Sequence, residues 1–188
     1  MSKNEKREGL NEFRKRIGSF QARGFPPGEP LMTNNNLTAK VDEEGRLLPY
    51  IGSTVLYMLP EWAKEKVRLI QEELYGSYGS FFADRLNSEM FHLTLHDLIS
   101  GPPSYQTAEA AIKNFPEVEQ CVERIKAKGE NIILCSTYVF NMTGTSLVWG
   151  FEPADEENYR RLMDAYGPLE DIVRLDYPFT PHVTIAYF

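Results

Sequence analysis

The chain has few of the features that metal centres, disulfide frameworks and membrane spans require. Two of its 188 residues are cysteines, Cys121 and Cys135, and they have neither CxxC spacing nor other metal ligands beside them. We therefore expect two buried thiols and no disulfide framework. No apolar run approaches the roughly 18 residues that indicate a membrane-spanning helix, and the charged start, MSKNEKREGL, is not typical of a signal peptide. These absences predict a cytoplasmic protein without a membrane partner.

Positive charge is scarce outside the N-terminal arm. The chain carries 20 basic and 27 acidic residues, and residues 1–23 hold seven of the basic residues against three acids. The remainder therefore has 13 basic against 24 acidic residues. A long nucleic acid is bound through several basic phosphate contacts, so this balance argues against a long duplex and favours a small phosphorylated ligand or an RNA end. The pattern of the basic arm favours a solvated amphipathic helix or a loose tail over a phosphate-binding site.

The pattern of apolar residues predicts an α+β fold with largely antiparallel sheets. Strand patterns occur at 51–59, around His92, at 131–142, at 145–153 and at the end of the chain. Helical patterns occupy 60–74, 107–128 with an interruption near Pro116, and 153–172. Two of the strands contain histidine, and each of these two strands is the next strand after a predicted helix.

Two of the three histidines begin the same four-residue phrase. HLTL occupies residues 92–95 and HVTI occupies residues 182–185. Successive side chains of a strand alternate between its faces, so His92, Thr94 and His96 should share one face, opposite the apolar residues between them. His182 and Thr184 should share a face for the same reason. Each histidine alone would be interpreted as a structural residue of its strand, with its hydrogen bonds made within the fold. The matched pair instead indicates a shared site.

Two imidazoles suit a displacement reaction at phosphorus. The attacking and leaving oxygens lie on opposite sides of the phosphorus atom, and each needs its own group to take or give a proton. Imidazole has an ordinary pKa of about 6.5 and can serve in either role near neutral pH. The two threonine hydroxyls would donate hydrogen bonds to the non-bridging phosphate oxygens, where negative charge grows in the transition state.

The two phrases, about 90 residues apart, resemble the motifs of the two-histidine (2H) phosphoesterase superfamily. That superfamily includes RNA 2′,3′-cyclic phosphodiesterases and 2′-5′ RNA ligase-like proteins. The resemblance implies a bilobal, pseudo-twofold α+β fold whose cleft holds both motifs. It implies metal-independent, cofactor-free chemistry on 2′,3′-cyclic or 2′,5′-linked phosphodiesters, with His92 and His182 as the acid–base pair and Thr94 and Thr184 as phosphate ligands. The segment DEEGRLLPYIGSTV is further similar to a poorly characterised branch of the superfamily.

The resemblance covers residues 50–188, which we expect to form the two-lobed domain. Residues 1–49 should form the basic arm, a loop and a short hairpin around Gly45. His96 has no counterpart in the second motif, and we expect it at the cleft rim or in contact with a base or sugar. Phe188 and Tyr57 are possible stacking partners for a base, although aromatic residues at such positions more commonly lie in the core. The oligomeric state is not predicted.

Two other functions compete with a phosphoesterase. A zinc hydrolase would need the histidines to converge, but on a strand His92 and His96 lie about 13 Å apart along the chain. Bonds of about 2.0 to 2.1 Å to one zinc ion do not span that separation. A binding module that holds a nucleotide or an RNA end without turnover would use the same four residues and stays open. The four motif residues are also compatible with both hydrolysis and ligation and do not distinguish the two reactions.

Overall fold

The computed structural model describes residues 8–21 and 32–188. Within these ranges the chain forms four α-helices and five strands, which confirms the predicted α+β class. In chain order these are α1 (Leu10–Gln21), β1 (Ile51–Met58), α2 (Glu61–Tyr78), β2 (His92–Gly101), α3 (Tyr105–Lys128), β3 (Leu134–Met142), β4 (Ser146–Pro153), α4 (Glu156–Ile172) and β5 (His182–Tyr187). In this part of the chain, no helix has both the length and the apolar character needed to cross a membrane.

The strands form two antiparallel sheets. One contains β1 and β2, and the other has the order β3–β4–β5. The turn between β3 and β4 contains Thr143 and Gly144 with φ values of 53° and 74°. Glycine adopts this left-handed conformation without a steric penalty, which explains why the hairpin predicted from the sequence forms here.

The two sheets contain a repeated unit of strand, helix and antiparallel strand. In the first copy β1, α2 and β2 follow one another, and in the second copy β4, α4 and β5 do so. The pairing register is the same in both: Met58 lies opposite His92, and Gly150 lies opposite His182. The two histidines therefore occupy equivalent positions, each at the first residue of its strand.

The apolar faces of β2 and β5 pack against each other and against α2. Phe91 and Leu93 share one buried cluster with Val183, Ile185 and the α2 residue Val67. Burial of such side chains contributes about 1.5 to 3 kcal/mol each. This cluster holds the two histidine strands side by side, although they belong to different sheets.

Helices α3 and α4 cover the other end of β2. Their shared cluster with the strand consists of Leu95, Leu98, Val118, Cys121, Leu162, Ala165, Tyr166 and Leu169. The predicted interruption near Pro116 is wrong, because α3 continues through the proline. An internal proline costs a helix about 3 kcal/mol, and the burial of Val118 and Cys121 in the following turns offsets this cost.

The N-terminal helix α1 packs on the body of the protein. Leu10, Phe13 and Ile17 form a buried face against Tyr159 of α4. Arg14 donates hydrogen bonds to two backbone carbonyls at the end of β4 and just after it, each at 2.8 Å. The predicted amphipathic helix is therefore confirmed for residues 10–21, as a packed helix and not a loose tail. The rest of the predicted arm, 1–7 and 22–23, lies outside the described residues. The boundary between an N-terminal segment, 1–49, and a two-lobed domain, 50–188, stays a prediction.

The two cysteines differ in burial. Cys121 is buried in the cluster of α3 and α4, whereas Cys135 is exposed on β3. The prediction of two buried thiols is therefore wrong for Cys135. It lies on β3, an edge strand of the three-stranded sheet.

Candidate active site

The same hydrogen bond orients both motif histidines. The Nδ1 atom of His92 lies 2.7 Å from the carbonyl oxygen of Met90, and Nδ1 of His182 lies 2.7 Å from that of Thr180. A carbonyl oxygen only accepts, so each Nδ1 carries the hydrogen and donates it. In both rings the Nε2 atom is therefore the one left to accept or donate a proton in a reaction.

The two imidazoles lie within electrostatic range of each other. Burial is the main cause that lowers the pKa of His182 below its ordinary value, and the positive charges of His92 and Lys40 lower it further. The hydrogen bond to the Thr180 carbonyl opposes these effects without cancelling them. His182 therefore stays neutral to a lower pH than an ordinary imidazole.

Thr94 and Thr184 follow their histidines by two residues and are half-buried like them. Their neighbours Leu93 and Val183 point into the shared core cluster, so strand alternation places each threonine on the face of its histidine. Within the described residues neither threonine hydroxyl has a hydrogen-bond partner. Both hydroxyls are therefore available to donate to a ligand.

Each histidine strand contains a β-bulge directly after its threonine. Thr94 pairs with Leu56 and His96 pairs with Val55, so Leu95 has no partner on β1. The same shift occurs on β5, where Ile185 has no partner on β4. A bulge adds one residue to one strand and therefore reverses the alternation beyond it. The residue after each bulge consequently points into the core.

This bulge overturns the prediction that His96 shares the face of His92 and Thr94. The His96 side chain is 1% exposed. Its Nε2 atom lies 3.0 Å from Oε2 of Glu170, and its ring packs against Tyr166 with centroids 5.1 Å apart. His96 therefore lies behind β2 against helix α4, and neither the predicted place at the rim nor a ligand contact fits this burial. The equivalent residue of β5, Ala186, is 0% exposed.

The two aromatic residues that the sequence left as possible stacking partners for a base make other contacts. Tyr57 pairs with the core residue Leu93 and lines a cavity of about 270 Å³ beside α3 and α4, away from the histidine face. Phe188 stacks on Phe82 with ring centroids 6.0 Å apart and packs near Val41. The alternation that predicted Phe188 beside His182 fails at the bulge.

Three residues that the sequence patterns did not reveal form a cluster that contains one of the charges acting on His182. The Nζ atom of Lys40 lies 5.0 Å from the ring centroid of Tyr50 and 5.2 Å from that of Tyr187. Lys40 is also one of the charges that lower the pKa of His182. With the bulge at Ile185 taken into account, strand alternation would have placed Tyr187 on the face of His182. No sequence motif indicates a role for Lys40 or Tyr50.

Within residues 8–21 and 32–188, no group of three or more His, Cys, Asp or Glu side chains has the arrangement that could hold a metal ion.

Comparison with known proteins assigns no family to this chain. The chain matches no protein-family model, and no curated protein matches it. It is similar to the crystal structure of TT0787 of Thermus thermophilus, with 16% sequence identity over 73% of this chain and 72% of that chain. The TM-score of this superposition is 0.45.

Proposed function

We propose that this chain is a metal-independent phosphoesterase of the two-histidine type. Its substrates would be 2′,3′-cyclic or 2′,5′-linked phosphodiesters of a small nucleotide or an RNA terminus. The observation that carries the proposal is the matched pair of Nδ1 hydrogen bonds at His92 and His182, which leaves both Nε2 atoms for proton transfer. The electrostatic interaction between the two rings supports a single site that uses both.

The lowered pKa of His182 favours it as the base. Neutral His182 would take a proton from water while the water oxygen bonds to phosphorus. The bond from phosphorus to the departing ribose oxygen would break, and protonated His92 would give that oxygen its proton. The two imidazoles would then exchange protons with solvent and return to their starting states. A ribose hydroxyl that attacks phosphorus in place of water, with the same two proton transfers, would give ligation.

The two threonines would stabilise the transition state of this reaction. Their hydroxyls have no partner within the described residues and lie on the faces of the histidines. Hydrogen bonds to the non-bridging oxygens strengthen as charge accumulates there, so they lower the barrier. The acidic balance of residues 24–188 supports a small substrate, because a long polyanion would be repelled.

A substrate panel tests the proposal. Purified protein is incubated with nucleoside 2′,3′-cyclic phosphates and 2′,5′-linked dinucleotides, with and without exhaustive chelation, and products are separated by chromatography. We expect turnover that survives EDTA and is lost in His92→Ala and His182→Ala. Activity that disappears with EDTA and returns with Zn²⁺ or Mn²⁺ would contradict the mechanism. Tight binding by calorimetry without turnover of any substrate would instead indicate a binding module.

A further inference from the structure

Lys40 is held between two aromatic rings beside the proposed site. It follows the short 3-10 helix Asn35–Ala39 and is half-buried. Its backbone is fixed on both sides, because its N–H donates to the carbonyl of Leu37 and its carbonyl accepts from the N–H of Leu48. Each contact of an ammonium group with an aromatic face contributes about 0.5 to 1 kcal/mol. The rings of Tyr50 and Tyr187 therefore restrict the position of the ammonium group before any ligand binds.

The charge of Lys40 is not neutralised by a carboxylate. Within the described residues Lys40 forms no ion pair. Its neighbour along the chain, Arg46, is in contrast paired with both Asp42 and Glu44. A half-buried ammonium group without a counter-ion favours the approach of an anion, and phosphate is an anion that lysine commonly binds.

The position of Tyr187 places this ammonium group away from the reacting phosphorus. Tyr187 lies three residues beyond Thr184 on β5. At about 3.3 Å per residue, its backbone is roughly 10 Å beyond that threonine. One phosphate group bound by the Thr184 hydroxyl would not reach Lys40 as well, whereas a second phosphate on the same molecule would.

We propose that Lys40, Tyr50 and Tyr187 form a subsite for a second phosphate group of the substrate, distinct from the phosphodiester that is cleaved. This inference rests on the proposed function and makes it more specific. The favoured substrate would be a cyclic or 2′,5′-linked phosphodiester that carries an additional phosphate, such as a 5′-phosphate. Lys40 supplies the charge, and the two tyrosine rings hold it in place.

A pair of substrates that differ by one phosphate tests the subsite. The probes are adenosine 2′,3′-cyclic phosphate and the same compound with a 5′-phosphate. The readout is the ratio of the two kcat/KM values, in which effects on the chemical step cancel. For the wild-type protein we expect a ratio of about ten in favour of the 5′-phosphorylated compound, the value of one charge-assisted hydrogen bond. In Lys40→Met the ratio should fall to about one, and in Lys40→Arg most of it should remain.

A matched control is available on α2. Lys66 lies over the ring of Trp62 at 5.8 Å, so Lys66→Met removes an ammonium–aromatic contact of the same kind from another surface. This control should leave the ratio at its wild-type value. A wild-type ratio near one, or an unchanged ratio in Lys40→Met, would overturn the subsite. The second outcome would mean that Lys40 acts on the cleaved phosphate or not at all.

Binding measurements separate failure of the subsite from failure of the proposed function. Adenosine 3′-monophosphate and adenosine 3′,5′-bisphosphate are titrated by calorimetry into wild-type protein and Lys40→Met. Preferential binding of the bisphosphate that is lost in Lys40→Met supports the subsite even if no substrate is turned over. Equal affinity for the two compounds in the wild-type protein contradicts the subsite, whether or not the protein is an enzyme.

Discussion

His96 and Glu170 form a hydrogen bond behind the first histidine strand, with Nε2 of His96 3.0 Å from Oε2 of Glu170. The same carboxylate accepts from the Tyr166 hydroxyl at 2.6 Å and from the backbone N–H of Leu175 at 2.9 Å. Burial raises the pKa of Glu170, but these hydrogen bonds outweigh burial and hold the pKa below its ordinary value. The carboxylate therefore links helix α4 to strand β2 and to the segment that leads to β5.

The first prediction is that His96→Ala lowers stability and leaves the chemistry in place. Loss of one partner from a buried hydrogen bond costs about 1 to 3 kcal/mol, and urea unfolding measures this loss. Turnover per folded molecule should change far less than in a variant of either motif histidine. Lys126→Ala is the control, because its ion pair with Glu123 is exposed and should contribute less than about 1 kcal/mol. A fully stable His96→Ala protein would contradict the structural role.

The second prediction concerns the two motif histidines. His92→Ala and His182→Ala should each lower kcat/KM roughly 10² to 10⁴-fold, the usual contribution of a positioned proton-transfer group. The double variant should lose less than the product of the two, because residues that act as one unit are not additive. Circular dichroism checks that each variant is folded. Near wild-type turnover in either folded single variant would refute the mechanism.

The third prediction compares two replacements of each motif threonine. Thr94→Val and Thr184→Val keep the branched shape but remove the donor, and each should lower kcat/KM by about 10 to 100-fold. The serine replacements keep the hydroxyl and should lose clearly less. Steady-state kinetics on a 2′,3′-cyclic nucleotide measures the difference. Equal activities of the valine and serine variants would remove the phosphate-binding role.

The fourth prediction is a pH dependence that follows from the lowered pKa of His182. Burial, His92 and Lys40 together disfavour the protonated ring, so His182 keeps its lone pair to a lower pH than an ordinary imidazole. As the base it must be neutral, and the acidic limb of kcat/KM against pH should therefore fall below about 6.5. Lys40→Met removes one positive charge and should move the His182 pKa upward. Titration of the ring protons by NMR in wild-type and variant proteins measures both values, and a wild-type His182 pKa above about 6.5 would contradict the assignment.

Much of the site followed from local patterns. The two His-x-Thr phrases placed His92 with Thr94 and His182 with Thr184, because alternation along a strand depends only on its own residues. The helices before both strands and the hairpin at Gly144 were also predicted from local signals. Whether the protein cleaves phosphodiesters stays a prediction.

The amino-acid sequence by itself determined which side chains of β2 and β5 share a face up to Thr94 and Thr184. Only the tertiary structure decided where the side chains after these threonines point. The bulges at Leu95 and Ile185 arise from the pairing of β2 with β1 and of β5 with β4, so the alternation within each strand could not reveal them. Because of the bulge at Leu95, the His96 side chain points into the core. Lys40 contacts Tyr187, which lies near the other end of the described chain. Such a contact depends on packing between segments distant in sequence, and local periodicity does not predict it.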